Sequence, residues 1–330
     1  MRRRPRRRAV WAELVPYGEL CSPAVLELLR SRSLGVQVAV TPDLLSGVGR
    51  VARVCREAGI ELGLWPMLSR QDGRWPSAAN VAPFEAFVAE LLDVLERNDG
   101  GPATLTIDLE PPIDELGSLL RVDHQAMARR LRRGLSQHVI GRFERIVTAA
   151  HDRGMATMAA ALPTVLSDGR RPGGWQGFLG TPVDGLPVSR VTVMVYTSLL
   201  EGYARGLLRR ADAVSLLSLA AGATARRYGE RGSLSLGATG TGALGDEPVY
   251  RHRAELVEDV AVTRAAGIDD ILLFSLGGVL GRSAPEAWLD ALVQTPPAER
   301  LPPLTSRAVA IAAASAAGSW AMAVGQWLGR

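Results

Sequence analysis

Two carboxylates, Asp108 and Glu110, stand one residue apart in the apolar stretch TLTIDLEPP at residues 104–112. Alternate side chains of a β-strand share a face, so Thr106, Asp108 and Glu110 lie on one face and the apolar residues between them on the other. Burying two acids is costly unless they are hydrogen-bonded, share a proton or take part in a reaction. The pattern therefore predicts either a structural carboxylate pair or an acid/base site, and Glu110 is the candidate acid/base residue.

Other candidate residues lie on or just after neighbouring apolar stretches. Met194 and Tyr196 alternate along VTVMVYTS, so they share a face. Trp65 and Trp75 lie in LWPMLSRQDGRWP, which is typical of a long loop at a binding site. Aromatic rings in such a loop can contact a ligand, so both tryptophans are candidate substrate contacts, with packing as the alternative role. Glu13 is the second carboxylate at strand level and the candidate partner in a two-carboxylate mechanism.

The elements that must position these residues alternate along the chain. Strands are predicted at 9–16, 36–42, 61–68, 103–109, 156–163, 190–198, 233–240 and 271–278, and helices at 23–31, 80–98, 123–153, 200–229, 249–266 and 285–294. Glycines at positions 35, 59, 154 and 267 follow helical runs, where a C′ glycine is typical. Eight strands alternating with helices predict an α/β protein with a single-domain TIM (β/α)8 barrel at 9–295, and a doubly wound sheet is the alternative. In a TIM barrel the active site lies at the C-terminal ends of the strands.

The two ends of the chain differ in composition from the predicted barrel. Six arginines occupy the tail at residues 1–8, and they account for the net charge of +4. A Pro-rich linker at 296–307 precedes a predicted apolar helix at 308–330, which carries no charge over 308–328. This segment is long enough to span a bilayer, yet it is rich in alanine and only weakly hydrophobic. It is predicted either to anchor the protein in a membrane or to pack on the barrel.

Composition excludes several kinds of site. The chain has no lysine, so a Schiff-base lysine is not available. Cys21 and Cys55 have no CxxC spacing and no two histidines stand four residues apart, so neither a metal nor a cofactor is predicted. The arginine tail is expected to be a solvated end and not a specific nucleic-acid site. Glu13 and Glu19 interrupt the apolar region that a signal peptide needs, so we expect a cytoplasmic or membrane-associated protein.

The fourth predicted strand resembles its counterpart in glycoside hydrolase family 18, the chitinase-like TIM barrels. That family closes strand four with D-x-x-D-x-D-x-E. Asp108 and Glu110 occupy the last two acidic positions, whereas Ala103 and Thr106 occupy the first two. The resemblance implies that Glu110 is the acid that protonates the leaving oxygen of a glycosidic bond.

Two further strands extend the resemblance. Strand six of the family carries M-x-Y, which Met194 and Tyr196 match, and the aromatic residue under the sugar on strand eight corresponds to Phe274. The resemblance implies cleavage of a glycan that contains N-acetylhexosamine, with the acetamido oxygen of the substrate as the nucleophile. It also implies that Asp108 orients the acetamido group and that Tyr196 hydrogen-bonds it.

Two other functions fit parts of the sequence. Glycine-rich loops, GATGTGALG and GGVLG, follow predicted strands seven and eight, where TIM barrels often bind phosphate. These loops would indicate an isomerase or lyase that acts on a phosphorylated metabolite. The acids missing from the family motif favour a non-catalytic, glycan-binding barrel instead. Retention of Glu110 favours catalysis, so the sequence predicts a glycoside hydrolase-like enzyme whose partner is a glycan.

Overall fold

A computed structural model describes residues 7–98, 103–115, 130, 134–169 and 173–328. Eight strands form a closed barrel in the order β1-β2-β3-β4-β5-β6-β7-β8, which confirms the TIM-barrel prediction. They are β1 (Arg8–Ala12), β2 (Gly35–Val40), β3 (Leu62–Pro66), β4 (Thr104–Leu109), β5 (Ala156–Ala161), β6 (Arg190–Val195), β7 (Gly232–Gly237) and β8 (Ile271–Phe274). All eight predicted strands are present, and most end a few residues earlier than predicted, where the chain turns into a loop.

Helices connect the strands, and three short ones, Tyr17–Leu20, Gly174–Leu179 and Leu276–Leu280, were not predicted. Their bounds are Tyr17–Leu20, Pro23–Arg30, Val48–Glu57, Val81–Arg97, Gln137–Asp152, Gly174–Leu179, Thr197–Tyr203, Arg210–Tyr228, Arg253–Ala265, Leu276–Leu280, Pro285–Gln294 and Ser306–Leu328. The prediction of one helix over 200–229 is wrong, because Arg205 and Gly206 adopt positive φ angles of 48° and 86° and separate two helices. Val48–Glu57 forms a helix that was not predicted. Most of the predicted helix before residue 134 and the first six residues of the arginine tail lie outside the described residues.

By packing, the chain divides into two compact units. The first contains Met1–Ala39, Val51–Gly63 and Thr192–Ala310, and the second contains Val40–Arg50, Leu64–Val191 and Ile311–Arg330. Each unit has its own buried apolar residues, for example Val10, Leu234 and Leu273 in the first and Leu105, Phe143 and Met158 in the second. Strands β1, β7 and β8 therefore position residues of the first unit, and β4 and β5 position residues of the second.

From Ile311 onward, the C-terminal helix, Ser306–Leu328, belongs to the second unit, where polar contacts hold one of its faces. The Ser319 hydroxyl donates to Oδ1 of Asp168 at 2.6 Å, and the carbonyl of Ser315 accepts the indole N–H of Trp175 at 2.9 Å. Asp168 also accepts the backbone N–H groups of Trp175 and of the next residue, at 2.8 and 2.9 Å. One buried carboxylate thus ties the C-terminal helix to the loop that follows β5.

Another face of the C-terminal helix is exposed and apolar. Trp320 is 72% exposed and Val309 is 48% exposed. The stretch Ser306–Gln326 has a mean hydropathy of 1.5, is 11% buried, and is long and apolar enough to cross a membrane by length and composition. The predicted apolar helix is therefore confirmed as a helix, and its membrane contact through 308–328 stays a prediction.

The glycine-rich loops after β7 and β8 pack against each other, backbone to backbone. A Cβ atom on Gly278 would lie 2.2 Å from the nitrogen of Gly240 and 2.4 Å from the carbonyl carbon of Thr239. The hydroxyl of Thr239 donates to the carbonyl of Ser275 at 2.7 Å, and its oxygen accepts the N–H of Ser275 at 2.9 Å. This close approach explains glycine in both loops without a ligand.

Gly278→Ala is expected to lower the free energy of unfolding by about 1–3 kcal/mol, because the backbone atoms that face it cannot rotate away. Gly281→Ala is the matched control, since the nearest atom to a Cβ there lies 3.6 Å away, an ordinary contact distance. The control is expected to change stability by less than about 0.5 kcal/mol. Urea denaturation of both variants measures the difference, and equal effects would contradict the close packing of the two loops.

Candidate functional site

The two predicted carboxylates lie at the C-terminal end of β4, in the second unit. Asp108 is a strand residue and is 2% exposed, whereas Glu110 lies one residue beyond the strand and is partly exposed. The N–H of Glu110 donates to the carbonyl of Asp108 at 3.0 Å, so the chain turns directly after the strand. Two prolines follow, and they cannot donate to a β-ladder. The result is a buried carboxylate followed by one that solvent and a ligand can reach.

The register of β4 against β5 defines the surroundings of Asp108. Asp108 pairs with Ala160 and Thr106 pairs with Met158. Asp108 and Ala160 are both buried, so the Asp108 carboxylate lies inside the barrel wall and not at its surface. Thr106 is fully buried, so the position where the family motif has a third acid is occupied by a buried hydroxyl.

The long segment after β3 lies against the residues that follow Glu110. The N–H of Ile113 donates to the carbonyl of Gly73 at 3.2 Å, and a Cβ atom on Gly73 would lie 2.9 Å from Cβ of Pro112. The predicted long loop thus borders the acidic end of β4. Its glycine, with φ of 93°, permits this approach.

Both predicted tryptophans of the second unit are largely buried. Trp65 lies on β3 and is 4% exposed, and Trp75 lies in the loop that follows and is 6% exposed. The side-chain amide of Asn80 donates to the carbonyl of Trp75 at 2.9 Å and fixes the backbone there. The structure gives both rings a packing role, and a contact with substrate stays a prediction for each.

In the first unit, Trp11, Tyr196 and Ser235 meet through their polar atoms. The indole N–H of Trp11 donates to Oγ of Ser235 at 2.9 Å, and the Tyr196 hydroxyl lies 3.1 Å from the same oxygen. Strand β8 lies between β1 and β7 in the barrel order, so the bond from Trp11 to Ser235 crosses the barrel interior. The Tyr196 phenol therefore points inward, as strand alternation predicts.

Tyr196 and Phe274 form an aromatic pair in the same unit. Their ring centroids are 5.5 Å apart with an interplanar angle of 25°, a stacked arrangement. Phe274 is the last residue of β8, and Tyr196 directly follows β6. Met194 precedes Tyr196 by two residues and is 8% exposed, so it belongs to the apolar core. The structure thus brings two of the predicted residues of the first unit into contact.

Glu13 lies close to Phe274, which the sequence also predicted, and to Glu247, which it did not. A Cβ atom on Gly242 would lie 2.6 Å from Oε2 of Glu13, 2.7 Å from Cζ of Phe274 and 3.2 Å from Oε1 of Glu247. Glu13 directly follows β1, and Glu247 lies in the long loop after β7. The predicted residues Glu13 and Phe274 are therefore close together, and they are joined by Glu247, a residue that was not predicted.

The negative charge around this loop argues against the predicted phosphate site. Burial raises the pKa of Tyr203 to about 12, and the nearby carboxylates of Asp246 and Glu247 add to the shift. Carboxylate oxygens of Glu13 and Glu247 also border Gly242, the middle glycine of the loop. A phosphate placed there would be repelled by like charges. Gly240, Gly242 and Gly278 allow close packing of the two loops instead.

The residues that sequence reasoning missed fall into two groups. Trp11 precedes the predicted residue Glu13 by two positions, so strand periodicity places both on one face and could have indicated Trp11. Ser235 lies on β7, where no site residue was predicted. Glu247 has no such signal, because its position depends on the path of an irregular loop. Among the residues that the structure describes, no group of three or more His, Cys, Asp or Glu side chains is arranged to hold a metal ion.

Comparison with protein-family models gives no match, and neither does comparison with curated proteins. Solved structures match in fold. The PgaB (BpsB) glycoside hydrolase domain from Bordetella bronchiseptica is 13% identical, with a TM-score of 0.51 over 88% of this chain and 99% of that domain. The GH5-4 broad-specificity endoglucanase from an uncultured bacterium is 12% identical, with a TM-score of 0.53 over 86% of this chain and 91% of the enzyme.

A third relative is the catalytic domain of β-amylase from Paenibacillus polymyxa, which is 11% identical, with a TM-score of 0.51 over 88% of this chain and 97% of that domain. At these identities the likeness shows the TIM-barrel fold alone. The resemblance to glycoside hydrolase family 18 therefore rests on the motif residues and stays a hypothesis.

Proposed function

We propose that this protein is a glycoside hydrolase-like enzyme that cleaves or remodels a glycan, with Glu110 as its general acid/base. The observation that carries the proposal is the position of Asp108 and Glu110 at the C-terminal end of β4, where TIM barrels have their active sites. Three structural relatives are a glycoside hydrolase domain, an endoglucanase and a β-amylase. They support the proposal as an analogy at the level of fold.

The proposed reaction begins with Glu110 in its acid form. Glu110 gives its proton to the glycosidic oxygen as the bond from that oxygen to the anomeric carbon breaks, and an oxocarbenium-like centre develops. In the substrate-assisted version, the acetamido oxygen of an N-acetylhexosamine attacks this centre, while Asp108 orients the acetamido group. The Glu110 carboxylate then removes a proton from the water that completes hydrolysis.

A thiazoline-type inhibitor, which mimics the cyclised acetamido intermediate, is expected to bind and to compete with chito-oligosaccharides. A mimic of an intermediate should bind at least about 100-fold more tightly than substrate. Inhibition kinetics measure this, and cello-oligosaccharides of equal length, which lack the acetamido group, serve as the control substrate. Lack of thiazoline binding, together with loss of turnover in Glu13→Gln, would favour a two-carboxylate mechanism.

Two other outcomes decide the proposed function itself. Binding of oligosaccharides without turnover would identify a glycan-binding barrel. The proposal would be overturned if the protein neither bound nor cleaved any glycan. If inorganic phosphate then competed with a sugar phosphate for binding, the metabolite enzyme would be the favoured function.

A further inference from the structure

The hydroxyl and amide side chains of the C-terminal helix point toward the rest of the second unit. Over residues 311–326 they are Ser315, Ser319 and Gln326. Oγ of Ser315 lies 2.7 Å from Oγ of Ser167, and the Ser319 hydroxyl donates to Asp168. The side-chain amide of Gln326 donates to the carbonyl of Gly174 at 3.3 Å. The protein itself therefore satisfies the polar side of this helix.

The exposed side of the same stretch is apolar. Every exposed residue between Ile311 and Ala323 is alanine, isoleucine or tryptophan. Trp320 is 72% exposed and Ile311 is 39% exposed. A helix on the surface of a soluble protein normally turns its apolar side toward the interior and its polar side toward water. In this helix the two sides are exchanged, so the exposed side is suited to an apolar partner.

The composition of this exposed side indicates lipid, and not another protein chain, as the partner. The stretch Ser306–Gln326 is long and apolar enough to cross a membrane, yet only 11% of it is buried. A protein–protein interface surrounds its apolar centre with a polar rim. The exposed side has no charged, hydroxyl or amide side chain over residues 311–323 that could form such a rim. Lipid binding needs no rim, because it scales with the apolar area that is buried.

The polar contacts also determine how the helix meets the lipid. A helix that crossed the bilayer would carry Ser319 and Gln326 into hydrocarbon and away from their present partners, which is costly. It would also deprive the buried carboxylate of Asp168 of the Ser319 hydroxyl. A helix that lies in the plane of the membrane interface keeps these contacts and buries only its exposed side.

We propose that the C-terminal helix docks this protein on a lipid membrane. The helix lies in the plane of the interface, with Trp320 inserted and with its polar side still bound to the second unit. The indole ring, which is apolar with one polar N–H, suits the boundary between headgroups and acyl chains. Most of the exposed side is alanine, so the binding is shallow and reversible. This inference does not depend on the proposed reaction, because none of the candidate catalytic residues takes part in it.

The test is co-sedimentation of the full chain with sealed phosphatidylcholine vesicles at about 1 mM lipid, which detects partition coefficients of about 10³–10⁴ M⁻¹. This lipid has no net charge, so the arginine tail at residues 1–8 gains no attraction to anionic headgroups. Ala317→Glu places a charge on the exposed side and is expected to lower the partition coefficient about tenfold or more. Ala89→Glu is the matched control, since it makes the same substitution at an exposed alanine of Val81–Arg97 and should bind like the wild type.

Absence of vesicle binding in the wild type would overturn the inference, and so would equal binding of Ala317→Glu and the wild type. A lipid-free dimer that Ala317→Glu dissociates, without any vesicle binding, would also overturn it and identify this side as an interface between two copies. If Ala317→Glu fails to fold in a thermal melt, Trp320→Ser takes its place.

An epitope tag added after the C-terminus separates the two membrane arrangements. Protease added outside sealed vesicles is expected to remove the tag completely, because a helix in the plane of the interface keeps both of its ends outside. A tag that stays protected until detergent opens the vesicles would show a spanning helix and overturn the inference.

Discussion

Glu110→Gln is expected to lower kcat by about 10²- to 10⁴-fold for every glycoside that the wild type accepts, because glutamine cannot donate a proton to the leaving oxygen. The substitution keeps the size and shape of the side chain. Glu110 lies beyond the end of β4 and is partly exposed. The free energy of unfolding is therefore expected to change by less than about 0.5 kcal/mol, which separates a catalytic loss from a structural one.

Two controls sharpen this experiment. Asp114→Asn removes one carboxylate from an exposed position four residues further along the chain, and it should leave kcat close to the wild-type value. A substrate with a nitrophenyl leaving group needs little protonation, so Glu110→Gln should reduce its cleavage less than that of a natural glycan. Unchanged turnover of all accepted glycosides in Glu110→Gln would show that another residue is the acid.

Three strands are marked at their start in the sequence. The apolar runs of β3, β5 and β8 follow Gly59, Gly154 and Gly267, which adopt the left-handed φ values, 69°, 73° and 95°, that helix ends favour. Closure of the barrel does not follow from the alternation, since the same alternation fits a doubly wound sheet. The break between Thr197–Tyr203 and Arg210–Tyr228 was not predicted, because Arg205, a non-glycine residue, adopts a positive φ there together with Gly206.

The candidate site could be predicted only where it lies on strands. Successive side chains of a strand point to opposite sides, so the alternation in the sequence predicts the side of the strand on which Asp108, Tyr196 and Phe274 lie. Glu247 lies in a loop whose path is set by contacts with Gly242 and Leu244, and no local pattern encodes such contacts. A loop carboxylate therefore becomes a candidate only when the fold brings it beside a strand end.

Adjacent acids on one helix show where a periodic pattern does carry information. Glu258 and Asp259 both lie on Arg253–Ala265, and both contact Arg210. The side chain of Glu258 is 50% exposed, whereas that of Asp259 is fully buried. The helical period separates them, because Asp259 stands three residues after the buried Leu256 and shares its face, whereas Glu258 lies on the opposite side. The partner of the buried acid, Arg210, lies on another helix and has no such signal in the sequence.

Asp259→Ala is expected to lower the free energy of unfolding by about 3–5 kcal/mol. The Asp259 carboxylate accepts the Tyr250 hydroxyl at 2.6 Å and the Thr197 hydroxyl, and it pairs with Arg210. Burial, reinforced by the Asp259 charge, raises the pKa of Tyr250 well above 10, so its hydroxyl remains a donor. Removing Asp259 would therefore leave two hydroxyls without this acceptor and a guanidinium without its buried counter-charge.

Glu258→Ala is the matched control, since it removes the exposed carboxylate from the same guanidinium and should cost less than about 1 kcal/mol. Urea denaturation of both variants, compared at equal m-values, measures the difference. Equal costs would mean that the burial of Asp259 contributes nothing. Replacing both partners, with Asp259→Leu and Arg210→Met together, should cost less than Asp259→Ala alone, because neither member of the pair is then left as an unpaired charge.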